Sequence, residues 1–373
     1  MNTALNPSAT SSRFLSYFDY WLFAAVLALV AFGIMMIASA TQNAIDPDLI
    51  SRVPDQINYA IIGFIVLLLI AAFDYRNLAG LSMWLYIIMM ILLLLVELVG
   101  VEGDGGAQRW LNIGIRIQPS EIAKIITIIT LSTFLAKRYQ DLDKLSTVLK
   151  ALLHLGAPSL LIFIQPNLGT TTVMLVIGLS ILWGAGLRLR HIGLGIAALL
   201  VALPVLFTQL EPYQVARITT FLNPSADRDA QYNIDQALIS VGSGGLLGKG
   251  YAQGSQNVGR FLRVRHTDFI FSVIAHEFGM VGAVGTMGVI AFVLARIVRA
   301  ARLASDPMGS MICYGVAGMI FYHTFVSIGM NLSLMPVTGL PLPFISSGGT
   351  SLLFMLIGIG LVQSVVIRRR TLP

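Results

Sequence analysis

Cysteine is almost absent: Cys313 stands alone in the middle of an apolar run. No internal disulfide is possible, and neither a thiolate metal cluster nor a CxxC redox pair can be built. Charge is scarce as well. Asp, Glu, Lys and Arg together make up 11% of the 373 residues, against about 25% in an ordinary soluble domain. Hydrophobic residues take 56%, above the roughly 45–50% of soluble chains. A soluble globular protein is excluded. Phosphate-loop chemistry is missing too: the run GKG has no following Ser or Thr, and Ser243 stands five residues before Gly248 where such a loop needs glycine. No Ser/His/Asp set with a nucleophile elbow appears. No nucleotide, haem or flavin site is expected.

What is present is apolar length. Runs near 20–39, 57–73, 81–99, 120–135, 149–165, 169–186, 191–207, 269–295, 308–331 and 349–367 predict ten transmembrane helices in an all-α polytopic protein, each of about the length a bilayer requires. The first run reads as an anchor rather than a signal peptide, although Ala38-Ser39-Ala40 resembles a cleavage site, because it is too long and only Arg13 precedes it. Lys and Arg concentrate in short cytoplasmic loops. Fourteen basic residues fall on the side of the termini, against Arg52, Arg109 and Arg116 in the short loops opposite. Both termini are therefore expected in the cytoplasm. The net charge of +6 is a signal of topology, and nucleic acid is not indicated.

The chain reads as one integral membrane domain, 1–373, with a single long external loop, 208–268, between helices 7 and 8. Within that loop, Asp235, Gln236 and Ser240 alternate with Ile234, Ala237, Leu238 and Val241. This predicts a short amphipathic helix at the membrane surface. A glycine-rich run, GSGGLLGKGYAQGS, follows it.

Ionisable groups inside a span cost several kcal/mol, about 2.5–3.5 at the helix centre, and are functional hypotheses by default. The fourth span opens Gln118-Pro119-Ser120-Glu121 and continues to Lys124. Its three-residue spacing puts Glu121 and Lys124 on one face, as an active-site pair or as a pair that neutralises itself. The eighth span is entered through Arg265-His266-Thr267-Asp268. At that mouth partial desolvation would make Asp268 a better base; a helix N-cap is the other reading. Glycines 279, 282, 285 and 288 recur every three residues, a spacing that predicts close helix packing. Pro and Gly at QPNLG and at MPVTGLPLPFISSGG require irregular backbone lining a cavity. His154 and His323 are expected to be hydrogen-bonded core residues.

The ordered strings QRWLNIGIRIQPSEIAK, QPNLGT, GSGGLLGKGYAQGSQN, RHTDFIFSVIAHEFGMVG and MPVTGLPLPFISSGGTSLL resemble the SEDS family (shape, elongation, division and sporulation) of bacterial cell-wall polymerases along essentially the whole chain. Short tails and TGLPLP lean toward its elongation branch over its division branch. The resemblance implies a multi-pass protein of the bacterial cytoplasmic membrane, active on its external face. It implies a peptidoglycan glycosyltransferase that joins lipid II units, releases undecaprenyl pyrophosphate, and works with a class B penicillin-binding protein (a transpeptidase), membrane lipids and other elongation-complex proteins. Asp268 matches the family's essential acid and would act as general base. Glu121, Lys124, Arg109, Arg217, Gln118, Ser120, His266, Thr267 and Ser346 would bind substrate, with Arg265 a further cation. A divalent cation, Mg²⁺ or Mn²⁺, would sit on Asp268 and Glu121. Three positions depart from the family pattern: Asn167 for Asp, His276 for Glu and Ser347 for Tyr. A lipid II transporter (flippase) and a non-catalytic scaffold are the rival readings.

Overall fold

A computed structural model describes residues 16–42, 46–102, 108–112, 116–188, 190, 191, 193–195, 197, 208, 212–223, 228–254 and 264–369. Among the described residues, eight helices are long and apolar enough to cross a membrane. They are α1 (Tyr20–Ala40), α2 (Arg52–Ala72), α3 (Leu78–Val99, entered through a 3₁₀ turn), α4 (Pro119–Ala136), α5 (Leu145–Ile164), α9 (Ile270–Leu303), α10 (Pro307–Asn331) and α11 (Gly349–Ile367). Between α5 and α9 come the shorter apolar α6 (Leu168–Gly184) and two polar helices, α7 (Pro212–Leu222) and α8 (Arg228–Ser243). The expected span 191–207 and the segment 255–263 lie largely outside the described residues.

Within its apolar window α4 is 83% buried, whereas α3 is 17% buried. The helix that carries Glu121 and Lys124 is thus central, and α3 faces outward. Pro119 suits the first turn of α4, where its missing N–H costs no bond. Polar caps set other helix starts: Asp19 accepts from Leu22 N–H at α1, Asn167 from Thr170 N–H at α6 and Asp306 from Gly309 N–H at α10. Between α3 and α4 the chain forms a small antiparallel sheet, β1 (Val101–Glu102), β2 (Gln108–Asn112) and β3 (Arg116–Ile117), in the order β1-β2-β3. The apolar-run reading did not anticipate these short strands.

The 34 residues of α9 are two helices joined at Gly279, whose φ of 63° and ψ of −161° are not helical. The glycine-rich segment after α8 fills the break. Lys249 and Gly250 N–H donate to the carbonyls of His276 and Glu277 at 3.0 Å, and Met280 and Val281 N–H donate to Gly245 and Leu246 at 2.9 and 3.1 Å. The backbones approach so closely that a Cβ on Gly248 would collide with the Glu277 carbonyl. The expected close packing along the glycine stripe is corrected here. Gly279 serves the break, and a Cβ on Gly285 or Gly288 would meet nothing within 4 Å.

The amphipathic helix forms as α8, with Ile234, Ala237 and Ser240 buried and Leu238 exposed. It packs against α9, where the Ser240 carbonyl and Ser243 hydroxyl meet His276 Nδ1 in the N-terminal part of that helix at 3.0 and 2.8 Å.

Candidate active site

Residues 264–269 form a turn that delivers Asp268 to the start of α9. Phe269 holds the N-cap position, with no side-chain cap bond. Three consecutive carbonyls of this turn are each held from another element. Ser347 N–H donates to His266 at 2.9 Å, Ser346 Oγ to Thr267 at 2.8 Å and Asn331 Nδ2 to Asp268 at 2.8 Å. Backbone pinned at consecutive residues leaves the Asp268 carboxylate only its own side-chain torsions. Gly339 passes beside it, where a Cβ would lie 3.9 Å from Oδ2.

Ser346, expected to bind substrate, is instead a brace: it is buried, and its hydroxyl also accepts from Leu342 N–H at 2.9 Å. Because Ser347 acts through its backbone, its departure from the family's Tyr leaves that bond intact. His266 and Thr267 are half-buried on the turn. Arg265, expected as a further cation at the site, is buried and donates through Nε to the Ala40 carbonyl, tying the turn to α1.

On α4, Lys124 Nζ lies 2.7 Å from Glu121 Oε1, with both side chains buried. The i,i+3 pair therefore forms, and it extends further. Lys124 Nζ is also 3.2 Å from Nε2 of His323, a fully buried residue of α10, and His323 Nδ1 is 3.3 Å from the Pro341 carbonyl. Glu121 Oε2 and the Ser120 hydroxyl are buried without a hydrogen-bond partner among the described residues. Such orphans cost about 1–3 kcal/mol each unless a ligand or water satisfies them. Gln118 stands half-buried at the N-cap position and does not cap the helix.

Arg109 on β2 and Arg217 on α7 line one cavity of about 180 Å³, together with Asn167, Gln214 and Thr338. Arg109 Nη2 donates to the Pro166 carbonyl. No carboxylate is among the described lining residues, so the cavity suits an anion. Asn167 caps α6 with the oxygen an Asp would use, which absorbs that departure. Glu277 accepts from Ser39 Oγ at 2.5 Å and from Ala252 N–H at 3.1 Å, and with His276 it holds the glycine-rich segment.

The three parts meet on one stretch of chain. Thr338 lines the cavity, Gly339 borders Asp268 and Pro341 receives His323. Residues missed in the sequence reading are Asn331, His323 as more than core, and Gln56. Gln56 donates to the Ser346 carbonyl at 3.3 Å and accepts from Gly348 N–H at 3.2 Å. The only sequence signal was a polar residue inside an apolar run, for His323, or at the edge of one, for Asn331 and Gln56. No cluster of three metal-ligating side chains occurs among the described residues.

A family model described as cell cycle protein (FtsW, RodA, SpoVE) matches residues 20–371. The peptidoglycan glycosyltransferase MrdB of Escherichia coli K12 is 35% identical over 98% of each chain. A probable peptidoglycan glycosyltransferase FtsW of Geobacter metallireducens is 32% identical over 95% of this chain and 96% of its own. Among solved structures, the rod shape determining protein RodA of Thermus thermophilus superposes with a TM-score of 0.69 at 32% identity, covering 95% of this chain and 98% of that one. A chain from a peptidoglycan synthase complex, described as coordinating polymerization and crosslinking, reaches a TM-score of 0.80 at 32% identity over 94% and 97%.

Proposed function

Since the chain belongs to the FtsW/RodA/SpoVE family of cell cycle proteins, we propose that it is a peptidoglycan glycosyltransferase polymerising lipid II, with Asp268 as general base. It is a multi-pass protein of the bacterial inner membrane. Asp268 takes the proton from the acceptor GlcNAc 4-hydroxyl as that oxygen attacks C1 of the donor MurNAc. The α-linked pyrophosphate leaves and a β-linkage forms, so this inverting transfer needs a base and no covalent glycosyl-enzyme. The leaving group carries its own charge, which makes cationic stabilisation matter more than a general acid. Lys124 offers a point charge, and Arg109 and Arg217 offer bidentate donors.

The observation that carries this reading is the convergence of base, buried ammonium and carboxylate-free arginine cavity on Thr338–Pro341. Ten spans with both termini cytoplasmic, one domain over 1–373, and an external site formed partly by the 208–268 loop complete the proposal. The charge asymmetry of the loops supports that orientation. The E. coli relative and the synthase-complex neighbour support a role in cell elongation beside a class B penicillin-binding protein.

A divalent cation fits only as a site of one or two carboxylates completed by substrate phosphates. Glu121 through its orphaned Oε2, with Asp268, would hold it, and it would neutralise pyrophosphate charge. The test is glycan polymer formation from lipid II by the protein with its transpeptidase partner, with and without EDTA. Asp268→Asn is expected to abolish polymer while leaving the fold intact. Polymerisation at the normal rate by that variant overturns the general-base role, and no polymer from the wild-type protein overturns the polymerase reading.

A further inference from the structure

Lys124 is a flexible four-carbon ammonium with three N–H donors. Two directions are taken, one by Glu121 Oε1 at 2.7 Å and one by His323 Nε2 at 3.2 Å. For Nε2 to accept, the imidazole must be neutral with its proton on Nδ1, and the Pro341 carbonyl 3.3 Å from Nδ1 is the acceptor that selects this tautomer. An imidazolium would place two positive charges 3.2 Å apart and forfeit the bond to the lysine. His323 is 0% exposed, so both of its bonds lie out of contact with bulk solvent. The third Lys124 N–H has no acceptor among the described residues.

We infer that His323 is a positioning residue for the glycosyl transfer, acting through Lys124. It fixes the ammonium from a second side so that the free N–H points one way, toward the leaving pyrophosphate. It also fastens that ammonium to Pro341, two residues from the Gly339 backbone that borders the Asp268 carboxylate. Base and cation are thereby held at one mutual spacing, although they stand on α9's entry turn and on α4. A lysine paired with Glu121 alone would keep its charge and lose its aim.

This inference rests on the polymerase reading, and one experiment separates the two. The full chain with its transpeptidase partner is assayed on lipid II as wild type, His323→Leu, His323→Phe, His323→Gln and Asp268→Asn, with thermal unfolding of each. Leu and Phe are apolar, both somewhat larger than the imidazole, and remove both bonds, whereas Gln can donate to Pro341 and accept from Lys124. The expected result is a kcat tenfold or more lower in whichever apolar variant folds, with KM for lipid II changed less than threefold, and a Gln variant within threefold of wild type. An apolar variant that folds and keeps kcat within twofold overturns the role. So does a Gln variant that melts like wild type yet loses tenfold. If neither apolar variant folds, the Gln variant decides alone on the same limits. Wild type and Asp268→Asn report independently: no polymer from wild type sinks the polymerase reading, activity in Asp268→Asn sinks the general-base role, and an active wild type beside an unaffected His323→Leu sinks only the positioning role.

Discussion

Asn331 donates through Nδ2 to the Asp268 carbonyl at 2.8 Å, and its Oδ1 accepts from both the N–H and the hydroxyl of Ser272 at 3.0 and 2.7 Å. One fully buried amide thus spans the junction between the turn and α9. Asn331→Leu would strand the Ser272 hydroxyl and the Asp268 carbonyl, at about 1–3 kcal/mol for each buried group left unsatisfied. A lower melting temperature and at least a tenfold loss of lipid II polymerisation are expected. Unchanged activity in a folded variant would show that the Asp268 backbone needs no such hold.

The buried Glu121–Lys124 pair gives a prediction about asymmetry. Removing one partner of a buried pair typically costs about 3–5 kcal/mol, because the other charge is left uncompensated. Lys124→Met should therefore melt well below wild type, and adding Glu121→Gln should recover most of the loss. Polymerase activity should stay absent in both. Recovery of activity with stability would mean the pair only neutralises itself.

Gly279 and Gly285 share a three-residue stripe and should respond in opposite ways. At Gly279 an alanine would adopt a backbone region open essentially only to glycine, at about 1–3 kcal/mol, and its Cβ would collide with the Leu246 and Gly248 backbone. At Gly285 no atom lies within 4 Å of the added carbon, and helix propensity favours alanine by up to about 1 kcal/mol. Melting temperatures of the two single variants check this directly.

At the far end of α9, Asp306 links acidity to stability. Burial pushes its carboxyl up, but hydrogen bonds from the Tyr75 hydroxyl, the Gly309 N–H and the Arg76 guanidinium outweigh it and hold it below the usual range. A folded value lower than the unfolded one contributes stability above about pH 3.9, lost as pH falls through the folded value. Asp306→Asn should melt lower than wild type at pH 7, and the gap should narrow as pH falls below about 4. A gap that stays constant on acidification would assign the effect to something other than the carboxylate.

Helix periodicity made Glu121 and Lys124 legible as a pair, since three residues of spacing fix their shared face before any packing is known. Asp268 was legible as the last acid before an apolar run. His323 was seen only as a polar residue in an apolar run; its partners come from α4 and from a loop 18 residues downstream, and nothing local encodes that meeting. The glycine stripe misled because spacing cannot distinguish a packed face from a broken helix. Gly279 is identified by the backbone that enters beside it, from residues 244–250. The strands β1 to β3 are at most five residues long, too short for alternation to register.

The break at Gly279 also bears on how α9 meets the bilayer. An unbroken helix of 34 residues would measure about 51 Å at 1.5 Å per residue, far beyond a hydrocarbon layer of roughly 30 Å. Divided at Gly279, the C-terminal 24 residues, Met280–Leu303, span about 36 Å, close to that thickness once tilted. The N-terminal piece is fastened to residues 244–250 and to Asn331. The length that crosses a bilayer is thereby set by the C-terminal piece of α9 alone, while the piece that carries the Asp268 turn is held by contacts within the protein.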